Sequence, residues 1–397
     1  MTRSCSVQRK RRCVLTINLN FDPSDSSACQ VERGQVENLS RWQPTDNPNL
    51  AERTTTRVGG DAKRLVVAKT DDEIVDAVRA ADEAGEPLLV LSGGSNMLVG
   101  DDGFDGVMVQ IATRGVTFDQ SDCGGAMVRV AAGEVWDNFV EFTITQGWVG
   151  LEALSGIPGL VGATPIQNVG AYGQEVSSTI ARVRTWDRKD GEFRTFTFDQ
   201  CGFGYRDSMF KRSLAEMGEG AVTGRYVVLE VWFQFELGSM SAPVGYQQLA
   251  DALGVHVGQR ADAKKVREAV LKLRASKGMV LDPDDHDTWS TGSFFTNPIV
   301  DEAAAGKLPE GAPRFPQPDG RVKTSAAWLI DHAGFGKGYP GEGQARLSSK
   351  HVLALTNRGG ASAKQLAELA GEVRAGVKAA YGVELVPEPV LVALQIP

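Results

Sequence analysis

Three side chains in this 397-residue chain stand where chemistry on a small anion is plausible: Arg206, Ser293 and Glu388. Arg206 lies in Tyr205-Arg206-Asp207-Ser208, after the apolar Phe203. A guanidinium stays charged and donates two parallel hydrogen bonds, so it suits a planar carboxylate. An exposed Arg–Asp pair would read the same way. Ser293 sits between Gly292 and the rings of Phe294 and Phe295, a context for a hydroxyl in a dry wall or for a turn cap. No His or Asp accompanies it in the motif, so an activated nucleophile is not indicated. Glu388 is held between Pro387 and Pro389, which remove backbone donors and stiffen its path. An edge-strand glutamate facing water has a similar appearance. Lys277 ends a helical pattern, where the helix dipole alone favours a cation.

Groups like these need a scaffold, and two glycine-rich segments offer one. Gly93-Gly94-Ser95-Asn96-Met97-Leu98 follows an apolar strand, and successive backbone N–H groups there form a nest for a pyrophosphate. Ile157–Glu175 carries Gly159, Gly162, Gly170 and Gly173, with Pro158 and Pro165, around the polar pair Gln167-Asn168. Glycine lets a backbone approach a flat or charged ligand, and an amide offers both donors and acceptors to a heteroatom-rich ring edge. Irregular segments of this length are uncommon inside a domain unless they bind something.

Around these segments the pattern alternates. Arg64–Ala68 reads as a strand, Thr70 or Asp71 caps a helix to Ala84, and Leu88–Leu91 reads as a second strand, a β-α-β opening. A strand-rich stretch follows: Gly106–Ile111, Met127–Ala131, Val183–Asp187, Arg194–Phe198 and Val227–Phe235, with a helix at Trp136–Gln146. Helices are predicted from Ala261 to Gly278 and from Ala363 to Tyr381, and Glu384–Leu394 as a closing strand. The class is α+β. Gly336, Gly338 and Gly341 match a dinucleotide fingerprint, but Pro340 interrupts it and the strand–helix context is missing.

A net charge of −8 argues against nucleic acid as the main partner. The five scattered cysteines suggest neither a disulfide framework nor a metal site, and a reducing, cytoplasmic setting fits. No apolar run approaches the ~20 residues that span a bilayer. Met1 to about Thr45 has no period and is expected to be a disordered extension or an over-extended start.

Four blocks in order resemble the UDP-N-acetylenolpyruvoylglucosamine reductase family: Ile157–Glu175, Phe203–Lys211, Thr291–Pro298 and Leu385–Pro389. The resemblance covers the chain from about Asn47 onward. It implies a two-lobed FAD-binding region of the vanillyl-alcohol-oxidase type over residues 47–245 and an α+β substrate-binding domain over 246–397, after an extension over 1–46. It implies non-covalent FAD, held by Gly93, Gly94, Ser95, Asn96, Met97, Leu98, Pro158, Gly159, Gly162, Ala163, Gln167, Asn168, Gly170 and Ala171, with NADPH as reductant. Its substrate would be UDP-N-acetylglucosamine enolpyruvate, reduced for peptidoglycan synthesis, with Tyr205, Tyr246, Lys277 and Asn297 as contacts. Arg206, Ser293 and Glu388 match the family's catalytic arginine, proton-donating serine and glutamate. A monomer with no metal and no membrane insertion is expected. Two other readings stay open here: an alcohol-oxidising flavoenzyme on the same scaffold, and a non-catalytic flavin or sugar-nucleotide module.

Overall fold

The computed structural model describes residues 30–40 and 42–397. Its first unit is a parallel sheet with Phe104–Ile111 between Ala62–Ala68 and Leu88–Leu91. Helix Asp71–Ala84 makes the crossover. Thr70 and Glu73 cap its start reciprocally, and Gly85 stops it in the left-handed region at φ 64°. Its apolar face, Ile74, Val75, Val78 and Ala81, is buried. Each of the larger side chains contributes about 1.5–3 kcal/mol by leaving water, so Val78→Asp would detach the helix.

The second unit is a seven-stranded antiparallel sheet. Its long strand, Tyr226–Leu237, pairs with Gly125–Ala131 on one side and Ile180–Asp187 on the other. Helix Trp136–Gln146 covers it, with Trp136 and Phe139 against Phe233.

The outermost strand of this sheet corrects the expectation of a disordered extension. Glu32–Val36 pairs antiparallel with Val116–Ser121, and Val36 is buried. Leu39 N–H donates to Glu134, whose other carboxylate oxygen accepts from Gly115. The Arg53 guanidinium gathers the carbonyls of Thr45 and Asn47. Edge strands with one covered face carry few apolar residues, so the segment shows no period in the sequence. The part of the expected extension before Gln30 lies outside the described residues. Cys123 is disulfide-bonded, although the scattered cysteines suggested no framework.

Helices Gln247–Leu253 and Ala263–Ser276 pack on the second unit. Val244, Leu249, Val266 and Val270 share one cluster with Ala153, and Arg267 grips Asp137 through two hydrogen bonds of 2.6 and 2.9 Å. The 245/246 boundary expected from the sequence therefore falls within one hydrophobic cluster. A third unit has its own core, in which Val58 and Leu98 of the earlier chain join Phe294, Phe295 and the helices Ala326–His332 and Ala363–Tyr381.

The closing strand is shorter than Glu384–Leu394. Only Val390–Val392 is strand, because Pro387 and Pro389 cannot donate to a ladder. It leaves the third unit and pairs parallel with Met97–Val99 of the first.

Candidate active site

That return places Glu388 beside both glycine-rich segments. Glu388 N–H donates to Phe294 O at 2.8 Å and Thr296 N–H to Val386 O at 3.0 Å. The glutamate and the Ser293 motif thus lie on one short two-stranded path. Phe294 and Phe295 are buried behind it. The Ser293 hydroxyl makes no hydrogen bond to the described residues.

Arg206 reaches the same point from the second unit. Its Nε lies 3.2 Å from Glu388 Oε1, and its Nη2 donates to Gly170 O at 2.8 Å. Its backbone sits at φ 53°, a conformation that side chains other than glycine adopt at a cost of about 1–3 kcal/mol and that clusters at functional sites. Gly170 has to be glycine here: a Cβ would stand 3.3 Å from Arg206 Nη1 and 2.9 Å from Gln174 O. Burial pushes the Glu388 carboxyl above the usual carboxylate range, while Arg206 and Lys211 pull in the opposite direction.

The two glycine segments touch. A Cβ on Gly93 would lie 2.5 Å from the Gly159 Cα, and one on Gly94, at φ 60°, would lie 1.9 Å from Arg53 O. Ser95 Oγ donates to Pro158 O at 3.1 Å, which fixes one segment on the other. The third unit joins them through Thr55 Oγ1, which donates to Ser290 O at 2.6 Å. Among the described residues, Ser92 Oγ and Thr291 Oγ1 are buried without a hydrogen-bond partner. Backbone-on-backbone contact of the two glycine-rich segments, with the unpartnered Ser92 and Thr291 hydroxyls next to Gly93 and Gly292 in sequence, fits a cleft for a flavin dinucleotide.

Not every expected contact residue faces that cleft. Met97 and Leu98 are buried strand residues in hydrophobic cores. Asn168, 1 % exposed, spends its amide on the protein: Nδ2 donates to Glu175 and Gly204 O, and Oδ1 accepts from Ser177 N. Its side chain braces the wall instead of reading a ring edge. Gly162 is packed against Ala132, where a Cβ would approach to 2.5 Å. Gln167, Ala163, Ala171 and Asn96 remain partly open. Gln167 and Asn96 each direct an amide nitrogen to Glu388 O, at 3.3 and 3.5 Å.

The remaining expected contacts form two groups. Tyr205 is 37 % exposed, with the Lys323 ammonium 4.6 Å from its ring centre. Asn297 Oδ1 accepts from Ala326 N at 3.0 Å, which commits its oxygen and leaves its amide nitrogen for a ligand. Tyr246 meets Tyr172 edge-on at 5.8 Å, and Lys277 Nζ lies 5.4 Å over the same Tyr172 ring and donates to Gln248 at 2.7 Å. Burial, then Arg274, holds the Lys277 ammonium below its ordinary value. Burial, with Lys277 and Lys337, lowers His351 to about 4, so it is neutral at pH 7. Gln248 and His351 carried no motif signal, and Tyr172 and Lys211 lay inside the blocks Ile157–Glu175 and Phe203–Lys211 without an assigned role. Only spacing relative to Arg206, within Phe203–Lys211, could have pointed to Lys211.

Known proteins resemble this chain over most of its length. Residues 62–197 match the model of the FAD binding domain, and residues 282–392 match that of the UDP-N-acetylenolpyruvoylglucosamine reductase C-terminal domain. The UDP-N-acetylenolpyruvoylglucosamine reductase of Cutibacterium acnes is 60 % identical over 349 residues, 87 % of this chain and 90 % of that protein. The chain belongs to the UDP-N-acetylenolpyruvoylglucosamine reductase family. The reductase of Streptomyces coelicolor is 53 % identical over 369 residues, 90 % of this chain and 92 % of that one. The crystal structure of the reductase from Thermus caldophilus superposes with a TM-score of 0.56 at 24 % identity. It covers 92 % of this chain and 100 % of that chain, a likeness of fold. Within the reductase family the FAD-binding match covers parts of both sheet units, and the C-terminal match starts close to the third core.

Proposed function

We propose that the chain reduces the enolpyruvyl double bond of UDP-N-acetylglucosamine enolpyruvate, giving UDP-N-acetylmuramate for peptidoglycan synthesis. The observation that carries this reading is the Arg206–Glu388 pair, held at 3.2 Å beside the Ser293 motif at the junction of all three units. FAD, bound non-covalently in the glycine-lined cleft and reduced by NADPH, supplies the hydride. Gly93, Gly94 and Ser95 would hold its pyrophosphate; Pro158, Gly159, Ala163, Gln167, Gly170 and Ala171 would line the remainder.

Arg206 binds the carboxylate of the enolpyruvyl group and favours the negative charge that develops there. Glu388, pushed toward its neutral form by burial, donates a hydrogen bond to the same developing charge. Ser293 delivers the proton to the carbon next to the carboxylate. Tyr205 and Asn297 contact the sugar end, and Lys277 with Tyr246 contacts the diphosphate. The described residues from Gln30 to about Leu281 form the FAD-binding region and its attached helices, and the rest forms the substrate domain. Among the described residues no helix is long and apolar enough to cross a membrane. We propose a monomeric, cytoplasmic enzyme, and the lack of nucleic-acid partners accords with its acidic charge.

The test is the colour of the purified protein. A flavin spectrum bleached by NADPH and restored by the enolpyruvyl substrate supports the reading. A flavin that is reduced but never reoxidised by that substrate refutes it.

A further inference from the structure

Lys211 stands at the point where three parts of the site meet. Its ammonium donates to Gln167 Oε1 at 3.0 Å and to the Arg206 carbonyl at 2.9 Å. Gln167 in turn directs Nε2 to the Glu388 carbonyl at 3.3 Å. Arg206 is the residue with a left-handed backbone, and its guanidinium pairs with Glu388. The lysine is itself firmly placed. It lies in the short turn of helix Met209–Arg212, whose start is capped by Ser208 Oγ accepting from Lys211 N at 3.2 Å. The same Ser208 hydroxyl donates to Ile166 O at 2.7 Å, one residue before Gln167.

A primary amide has two faces that differ by a rotation of about half a turn, and hydrogen bonds decide between them. A lysine ammonium has donors only. Set beside Gln167, it accepts only the orientation with oxygen toward the ammonium, which sends the NH2 group toward Glu388 and the cleft. The second bond, to the Arg206 carbonyl, opposes relaxation of that residue to an ordinary backbone conformation, which would swing the guanidinium away. We infer that Lys211 is a positioning residue: it orients the Gln167 amide and holds Arg206 in its strained conformation so that both present their donors to the reacting end of the substrate. The inference rests on the proposed placement of Arg206 and Glu388 at that end. Its positive charge also opposes the effect of burial on Glu388.

The experiment uses the FAD-loaded full chain and follows the two half-reactions separately by stopped flow. Lys211→Met removes both hydrogen bonds at similar length. Flavin content is expected to stay near one per chain, and reduction by NADPH close to normal. Reoxidation by the enolpyruvyl substrate is expected to slow by ~10²-fold, the scale of a small misplacement of reacting groups. Calorimetric binding of UDP-N-acetylmuramate to the oxidised protein should weaken as well. Lys211→Arg, which keeps charge and donors, should recover part of both. The double variant Lys211→Met/Gln167→Ala should be no slower than the slower single variant, since coupled residues are not additive. Reoxidation by Lys211→Met within twofold of wild type overturns the inference, and so does a double variant whose losses multiply. If Lys211→Met fails to fold, Lys211→Gln replaces it, because a neutral amide can turn either face to Gln167 and should still slow reoxidation. Arg206→Lys is measured alongside. If it too leaves reoxidation unchanged, the proposed function is at fault; if it slows reoxidation while Lys211→Met does not, only the role of Lys211 is.

Discussion

The backbone N–H of Glu388 donates to the carbonyl of Phe294 at 2.8 Å, so the acid and the serine hydroxyl are spaced by main chain and not by side-chain packing. Substitutions of either side chain should then leave the other in place. This makes their chemical roles separable.

Ser293→Ala is expected to leave reduction of the flavin by NADPH near the normal rate and to slow reoxidation by the enolpyruvyl substrate. General acid catalysis is worth ~10²–10⁴ in rate, and the buried Phe294 and Phe295 behind the serine leave little room for a replacing water, which favours the upper end. Ser293→Cys should recover part of the loss. Stopped-flow absorbance of the flavin decides: a slow first half-reaction with a fast second would make Ser293 a cofactor contact.

Glu388 has a pH signature. Its pKa is raised in the folded protein, so the folded state holds a proton that the unfolded chain releases. The stability it contributes is complete below the ordinary glutamate range and is lost as pH rises through the raised folded value. Glu388→Gln removes that loss. Between pH 4 and pH 8, melting temperatures of the variant should rise relative to wild type as pH increases. A constant difference across the range would show that the carboxyl does not titrate abnormally.

Gly93→Ala is expected to cost the protein its flavin. The new methyl would lie 2.5 Å from the Gly159 Cα, which is backbone and cannot swing aside. Overpacking of this kind costs about 1–3 kcal/mol and would push the two cleft walls apart. The absorbance ratio at 450 and ~280 nm, which reports flavin per chain, checks it; full flavin occupancy would show that the walls yield.

Acid precipitation should release all flavin from the wild-type protein. Neither glycine-rich segment contains a histidine or cysteine to carry a covalent link. Colour retained in the washed pellet would contradict this.

A chain starting at residue 46 should melt below one starting at residue 30. The shorter chain loses the strand Glu32–Val36, the burial of Val36 and the Leu39–Glu134 bond. Together these should be worth a few kcal/mol, and each kcal/mol should lower the melting temperature by less than the roughly 2–4 °C typical of proteins about half this size. Equal melting temperatures would show that the edge strand adds nothing.

The sequence exposed the parts of the site where chemistry restricts residue type. Within the candidate site, Arg206, Glu388 and the glycine-rich segments could be picked out because guanidinium chemistry, proline flanks and close backbone approach restrict residue type. Met97, Leu98 and Asn168 sit inside those motifs with their side chains turned into the protein, so the contact expected of them would have to be made by backbone. Lys211 and Tyr172 act through tertiary neighbours, and single-residue context holds no trace of that. The first strand escaped because an edge strand needs few apolar residues. The long helices were readable because their caps and apolar stripes are local, as Thr70 with Glu73 and Ser362 with Gln365 show.

The parallel pairing of Val390–Val392 with Met97–Val99 has a consequence for synthesis on the ribosome. Chains emerge from their N-terminus at about 5–20 residues per second, and early domains begin folding as they appear. The strand Met97–Val99 is made first, and its partner follows roughly 290 residues later. For ~15 seconds or more at those rates a nascent cofactor lobe therefore exposes an unpaired strand edge. Glu388 arrives on the same late segment, so the growing polypeptide could acquire flavin before it holds the Arg206–Glu388 pair.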